Sequence, residues 1–492
     1  MIRFRLDAWK LAPLLAGLAA FGLLLGLDGP LHHLPGRGSR PALAAAVTAL
    51  MAIWWLSEAL PIHWTACVPL VVYPFSDVFS TRPLENAQRV VLPYFDAYIF
   101  LFLGGMCIAA AMQQWNLHRR IALVIMRAIG TDPRRLLFGF LAATAFISLW
   151  ISNTATAAMM LPIGLSVIAQ LESHAGGRRL EHYGASIMLS VAYAANVGGI
   201  GTKIGTAPNA LLASFMAQRG VEISFLEYMA IGLPFVLVFL PVVWLALWRT
   251  GRRDAPDAKV GRDVLRAEIA HLGRTRTEEW VVLGVFLAAA ALWIAGRPLT
   301  AFLTPRVTFV ALSSARVEAG IAMTAAFLLM LLRIRGRPLL ELRWLRRLPF
   351  ETLLLLGGSL AMAAAIEASG LSAWLAGRLG TLREAPVWAQ LLLASAATVA
   401  LSAVASNVAT IAVMLSVVES SVAPAIATTA LFTATVAASC DFALPAGTPP
   451  NAIVFASGYV SVPRMARTGV LLDLAAALLA AALCALLVPR VL

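Results

Sequence analysis

One phrase is written twice in this chain. Ser152-Asn153-Thr154-Ala-Thr-Ala-Ala-Met-Met-Leu returns as Ser406-Asn407-Val408-Ala-Thr-Ile-Ala-Val-Met-Leu, with seven of the ten positions identical. Each copy follows a Leu-rich Gly-Gly segment (101–105 and 354–358) and precedes a Gly-Thr-x-Pro-Asn motif (205–209 and 447–451). Three landmarks in one order make the two halves internal repeats. Polar pairs that interrupt apolar sequence at corresponding places in two halves are the pattern of a membrane protein with a binding site near the bilayer midplane.

Composition agrees with a membrane setting. The chain is 60% hydrophobic and 13% charged with a mean hydropathy of +0.83, where a soluble domain carries roughly a quarter charged residues. Its 492 residues leave room for about ten to twelve crossings. The expected class is an all-α polytopic bundle. A net charge of +13 does not point to nucleic acid, because the basic residues gather in short loops between apolar runs. Cys67, Cys107, Cys440 and Cys484 stand singly in apolar surroundings, which excludes a disulfide framework or a metal cluster.

Eleven apolar runs read as spans: 11–27, 42–60, 64–79, 98–112, 186–216, 230–248, 280–294, 319–332, 351–368, 425–456 and 469–488. The third is weakened by Pro69 and Pro74. The first, behind Met-Ile-Arg-Phe-Arg, has the outline of a secretory leader but lacks a small-residue cleavage site, so it is expected to remain as a span. Two further stretches, about 136–170 and 387–418, are too long for one crossing and carry their Ser-Asn pair near the middle. They read as re-entrant hairpins. The expected organisation is an amino-terminal segment over 1–41, a first repeat over 42–248 with broken helix 186–216, a charged linker over 249–279, and a second repeat over 280–492 with broken helix 425–456.

Basic loops at 118–135, 249–276, 333–347 and 464–467 fall on one side if the amino terminus is cytoplasmic, as the positive-inside rule requires. The first hairpin then enters from the cytoplasm and the second from outside, so the repeats are inverted. The linker mixes eight basic with six acidic residues and reads as a solvated amphipathic surface helix.

Backbone that leaves the helix inside a membrane exposes unpaired N–H and C=O groups, which are tolerated only where protein or a cavity satisfies them. Ser-Asn before an apolar run is a helix start, and Thr206 and Thr448 before Pro-Asn read likewise. Each start aims free N–H groups and about half a positive charge at what lies ahead. Four starts meeting at the midplane would form an anion site without arginines. Backbone carbonyls with Ser and Asn oxygens in the same loops suit a hard monovalent cation such as sodium.

The order Leu-rich Gly-Gly, Ser-Asn-Thr, Gly-Thr-Ala-Pro-Asn, then Ser-Asn-Val and Gly-Thr-Pro-Pro-Asn-Ala-Ile-Val-Phe resembles the divalent anion:sodium symporter family from about residue 42 onward. The resemblance implies that Ser152, Asn153, Thr154, Ser406 and Asn407, joined by Thr206 and Thr448, hold the carboxylates of a substrate. It also implies one sodium at Ser148, Ser152, Asn153 and Gly205 and another at Ser402, Ala405, Asn407 and Gly447. It further implies a homodimer in the bilayer, with a transport domain moving like an elevator against a scaffold, and no cofactor beyond the coupling sodium ions. Two positions depart from the family pattern. Val408 replaces a threonine, and Lys203 places a charge where the family normally has a neutral residue.

Other readings are weaker. Gly198-Gly-Ile-Gly201-Thr-Lys203 lacks the Gly-Lys-Ser/Thr ending of a phosphate loop, and no hydrolase or zinc-protease motif is present. Asp441 lies in an apolar stretch, where an ionisable residue is a functional candidate with a partner; Lys203 is the expected partner, or else a surrogate for the first sodium. The sequence therefore predicts a secondary transporter of the inner membrane for a four-carbon dicarboxylate such as succinate. The alternatives are a sodium-independent anion exchanger or a channel-like or scaffold protein.

Overall fold

Proline, glycine and short polar side chains decide where the helices stop. The computed structural model describes residues 8–27, 29–34, 37–256, 266, 268–307, 311–378 and 380–492. Asp132 caps the helix Pro133–Ser148 by accepting from Arg135 N at 3.1 Å, with Pro133 in the first turn, where its missing N–H costs nothing. The chain breaks over 149–152 and restarts as Asn153–His174 with Ser152 at the N-cap. The second half repeats this: Val387–Ser402, a break over 403–406, and Asn407–Ser421 capped by Ser406. These are the two expected hairpins, with slightly longer limbs. Gln390 fastens the base of the second one, donating to the Arg383 and Ala385 carbonyls at 3.1 and 2.6 Å and accepting from Ala423 N at 2.9 Å.

Both interrupted helices also form. The first runs Glu181–Gly199 and Ala207–Ala217, the second Ala427–Ala438 and Pro449–Phe455, with Thr206 and Thr448 at the restarts. Each leading segment lies between its own hairpin's first limb and a long helix, Phe225–Gly251 in the first half and Val462–Val491 in the second. The long helices pack on each other, and Leu471, Leu474 and Leu478 stay more than half exposed along one face of the latter, as lipid contact requires. A second group of helices contains Arg40–Leu56, Ala97–Gln114, Ser314–Leu331 and Phe350–Ser369. One close crossing in it uses the Gly-Gly landmark: a methyl group on Gly104 would stand 2.5 Å from the Ala322 backbone.

Four expectations change. Among the described residues, seven helices have the length and apolarity to cross a membrane unaided; the other apolar runs are shorter or interrupted. The run 64–79 is not one helix but Ile62–Thr65, Val68–Val72 and a 3₁₀ turn Tyr73–Phe75, because Pro69 and Pro74 each restart the chain. The bundle also carries one two-residue β-ribbon, Arg333–Ile334 with Arg337–Pro338, closed by Arg335 and Gly336 at positive φ, the twist a two-residue hairpin loop demands. The linker, finally, is not simply solvated. Residues 257–265 and 267 lie outside the described residues, but Glu268 is buried and pairs with Arg119 at 2.5 Å, while Glu279 pairs with Arg120 at 2.5 Å, tying the linker to the helix Leu117–Ile129.

Candidate functional site

Oxygen atoms crowd the tip of the first hairpin. Ser148 Oγ lies 2.9 Å from Asn153 Oδ1 and 2.7 Å from the Ala195 carbonyl oxygen, both buried, with its one proton to serve either acceptor. Asn153 Oδ1 lies directly against Gly199, and a methyl group on Gly205 would stand 2.5 Å from the Gly199 carbonyl oxygen and 2.9 Å from that of Ser148. Asn209, from the Pro-Asn motif, holds the break in the helix open by donating to the Gly199 and Thr202 carbonyls at 2.8 and 2.7 Å. Thr202 is itself bonded to the Leu149 carbonyl of the hairpin. The broken helix and the hairpin tip therefore form one cluster around Gly205, built from neutral hard oxygens.

The second half builds the same cluster from equivalent atoms. Ser402 Oγ lies 3.0 Å from Asn407 Oδ1 and 2.7 Å from the Ala438 carbonyl oxygen, again one proton for two acceptors, and Asn451 donates to the Asp441 and Leu444 carbonyls, both at 3.0 Å. Buried Ala405 closes the hairpin turn onto the Ser402 carbonyl at 3.3 Å. Gly447 lies directly against the Asp441 carboxylate. The two clusters differ in their caps. Ser406 accepts from Ala409 N at 3.2 Å and Thr448 from Asn451 N at 3.3 Å, whereas the Ser152 and Thr206 hydroxyls make no such bond. Thr154 is exposed and Val408 is half-buried against apolar neighbours.

The halves meet through Asn196, at the end of the first interrupted helix. Its amide donates to Thr448 Oγ1 at 3.0 Å and to the Asp441 carbonyl at 3.4 Å. Around this link, Asn153–His174 packs on Pro449–Phe455, and Ala207–Ala217 packs on Asn407–Ser421. Each hairpin thus rests against the interrupted helix of the other half. Of the residues expected from sequence, Ser148, Asn153 and Gly205 lie in the first cluster, Ser402, Ala405, Asn407 and Gly447 in the second and Thr448 on the seam, with Ser152, Thr206 and Ser406 at the neighbouring N-caps and exposed Thr154 one residue beyond Asn153. Four helices, of 22, 11, 15 and 7 residues, begin there.

Lys203 is the main correction. Its ammonium does not reach Asp441; it pairs with Glu318 at 2.7 Å, both side chains fully buried, and sits 5.2 Å from the centre of the Tyr98 ring. The other Glu318 oxygen accepts from Phe225 N at 2.7 Å. With its charge answered by Glu318, Lys203 is a structural ion pair and not a stand-in cation. Sequence reasoning missed Glu318, Asn196, Asn209 and Asn451. The two Pro-Asn asparagines carried a signal, since both repeats place them ten residues after the carbonyl they hold.

Hairpins that rest on interrupted helices inside an apolar bundle, in a chain matched over most of its length by membrane transporters, make this a multi-pass membrane transporter. The chain belongs to the family described as sodium:sulfate symporter transmembrane region, which matches residues 34–488. It is 35% identical to the sodium-dependent dicarboxylate transporter SdcS of Staphylococcus saprophyticus over 98% of this chain and 92% of that one. The protein of the same name from Staphylococcus aureus USA300 is 34% identical, over 96% and 90%. The fold also resembles the crystal structure of the Alcanivorax borkumensis YdaH transporter, with a TM-score of 0.54 at 15% identity over 90% of this chain and 98% of that chain.

Proposed function

We propose that this protein carries a small dicarboxylate, of four carbons such as succinate, across the inner membrane by sodium-coupled symport. The observation that carries the reading is the pair of equivalent oxygen clusters, each with a Ser-Asn helix start beside it, in a chain 35% identical to a protein named a sodium-dependent dicarboxylate transporter. The anion would lie on the seam, where helix starts at Asn153, Ala207 and Asn407 offer backbone N–H groups, while the start at Pro449, with two prolines and its next N–H groups bonded to Thr448, contributes the Thr448 hydroxyl instead. Roughly half a positive charge per start favours a dianion there. The Ser152 and Thr206 hydroxyls, unused as caps, are available to one carboxylate, and Ser406 and Asn407 face the other.

Sodium would occupy the two clusters. Asn153 and Asn407 each have their carbonyl oxygen in a cluster and their backbone N–H at a helix start, so each joins cation to anion. Filling both clusters lowers the cost of bringing a dianion into an apolar bundle, and this is the physical basis of the coupling. The exchange reading loses its support, because the ammonium that was to replace sodium is held by Glu318. An elevator movement of the hairpins and interrupted helices against the second helix group, in a homodimer with a cytoplasmic amino terminus, completes the proposal.

Uptake of labelled succinate into proteoliposomes tests it. Accumulation driven by an inward sodium gradient and saturable in both solutes is expected, with other dicarboxylates competing. Uptake that needs internal anion and ignores sodium would establish exchange instead, and an absence of saturable uptake would end the transport reading for this substrate class.

A further inference from the structure

Beyond their caps, the two clusters differ in one residue at the heart of the helix break. Counting back ten positions from each Pro-Asn asparagine reaches Gly199 in the first half and Asp441 in the second, and the asparagine holds that residue's carbonyl in both cases. Gly199 has no side chain, and the Asn153 amide oxygen fills the space against it. Asp441 brings a carboxylate. That side chain is fully buried, and neither of its oxygens has a hydrogen-bonding partner of normal geometry; a backbone donor in range is the Ala443 N–H.

The direction of the carboxylate is informative. It lies against Gly447, at the spot where the first half has the Gly199 backbone against Gly205. The groups facing it from neighbouring elements are Asp473 on the last long helix, Tyr193 on the first interrupted helix and its own neighbour Cys440. Asp473 bonds Phe442 N at 2.9 Å, and Tyr193 gives its hydroxyl to the Phe442 carbonyl at 2.9 Å. None supplies a positive charge, and no ion pair among the described residues neutralises Asp441. A buried carboxylate without a partner is strongly unfavourable, so its oxygens are complementary to a cation in the adjoining cluster.

We infer that Asp441 is a charged ligand of the second cation site, completing a set with Asn407 Oδ1 and the backbone around Ala405 and Gly447. The inference rests on the transport reading above and deepens it. The two sites are then unequal: the first is built from neutral oxygens, and the second carries a fixed negative charge that answers the charge of one sodium. Because charge on the ligand set raises cation affinity, the second site holds sodium without any anion present, while the first gains from the anion's own charge.

Sodium binding to the purified, anion-free protein tests this without recourse to transport. Wild type is expected to show a sodium-specific rise in unfolding temperature and a calorimetric binding isotherm that choline does not reproduce. Asp441→Asn and Asp441→Gly, the second recreating the chemistry of the first half, are each expected to weaken that binding at least about tenfold, with gel-filtration profiles like wild type. Either variant suffices if the other does not fold. Unchanged sodium affinity in a folded variant would overturn the inference, and so would the absence of anion-free sodium binding in a wild type whose uptake is driven by sodium. In both of those outcomes the transport reading survives, whereas a wild type whose uptake ignores sodium removes the reading and the inference together.

Discussion

Replacing Lys203 by methionine strands Glu318 as a lone carboxylate in a place water does not reach. Both side chains are fully buried and 2.7 Å apart. At an effective dielectric near 20 two charges at that distance attract by about 6 kcal/mol, most of which offsets the cost of burying them. Removing one partner of such a pair leaves an unanswered charge and costs about 3 to 5 kcal/mol. The double change Lys203→Met with Glu318→Gln behaves differently, because glutamine keeps an acceptor for Phe225 N, which Glu318 serves at 2.7 Å. It is expected to lie within about 1 to 2 kcal/mol of wild type, since neutral replacement of a buried pair is often near cost-free. Equilibrium unfolding of the four proteins in mixed detergent micelles gives the cycle directly. A single variant that loses less than about 1 kcal/mol, or a double variant as unstable as the sum of the two singles, would refute the reasoning, showing that the charges find other partners.

Asn153→Ala and Asn407→Ala each remove an oxygen bonded to a buried serine, at 2.9 and 3.0 Å, and a link between cation and anion; saturable uptake should vanish in a protein that still elutes as wild type, and normal uptake by either would discard that residue's role. Val408→Thr restores a hydroxyl beside the second helix start, and dicarboxylate affinity should rise by the 0.5 to 1.5 kcal/mol of about one net hydrogen bond, read as a lower half-saturation constant. Gly205→Ala puts a methyl 2.5 Å from the Gly199 carbonyl oxygen and 2.9 Å from that of Ser148; sodium-driven uptake should be lost with at least about 1 to 3 kcal/mol of stability from overpacking, and a variant with wild-type sodium dependence would show that these carbonyls lie outside the cation's reach.

What could be read from the sequence was local. Helix starts depend on a capping side chain and the few residues after it, so the hairpins expected near 136–170 and 387–418 appear as 133–174 and 387–421. Partners across the bundle could not be read that way. Glu318 lies 115 residues from Lys203, and the apolar run taken to begin at Ala319 stopped one residue short of it because a charge marks the apparent edge of a hydrophobic stretch. Asn196 looked like any polar residue in an apolar helix; only the approach of the second half gives it Thr448 to hold. The linker misled for the opposite reason. Its alternating charges suggested solvation, yet Arg119 and Arg120 stood ready on another helix to receive Glu268 and Glu279.

The crossed arrangement, in which each hairpin rests on the other half's interrupted helix, bears on how such a chain can be inherited. Neither half alone supplies both partners of these packings, so an isolated half would need a second copy of itself to make them. Joined in one chain, the two halves are free to differ, and one keeps Gly199 where the other carries Asp441. Two polypeptides cut between residues 256 and 266 and made in the same cell should still find one another, because what joins them is the shared seam and not the peptide bond.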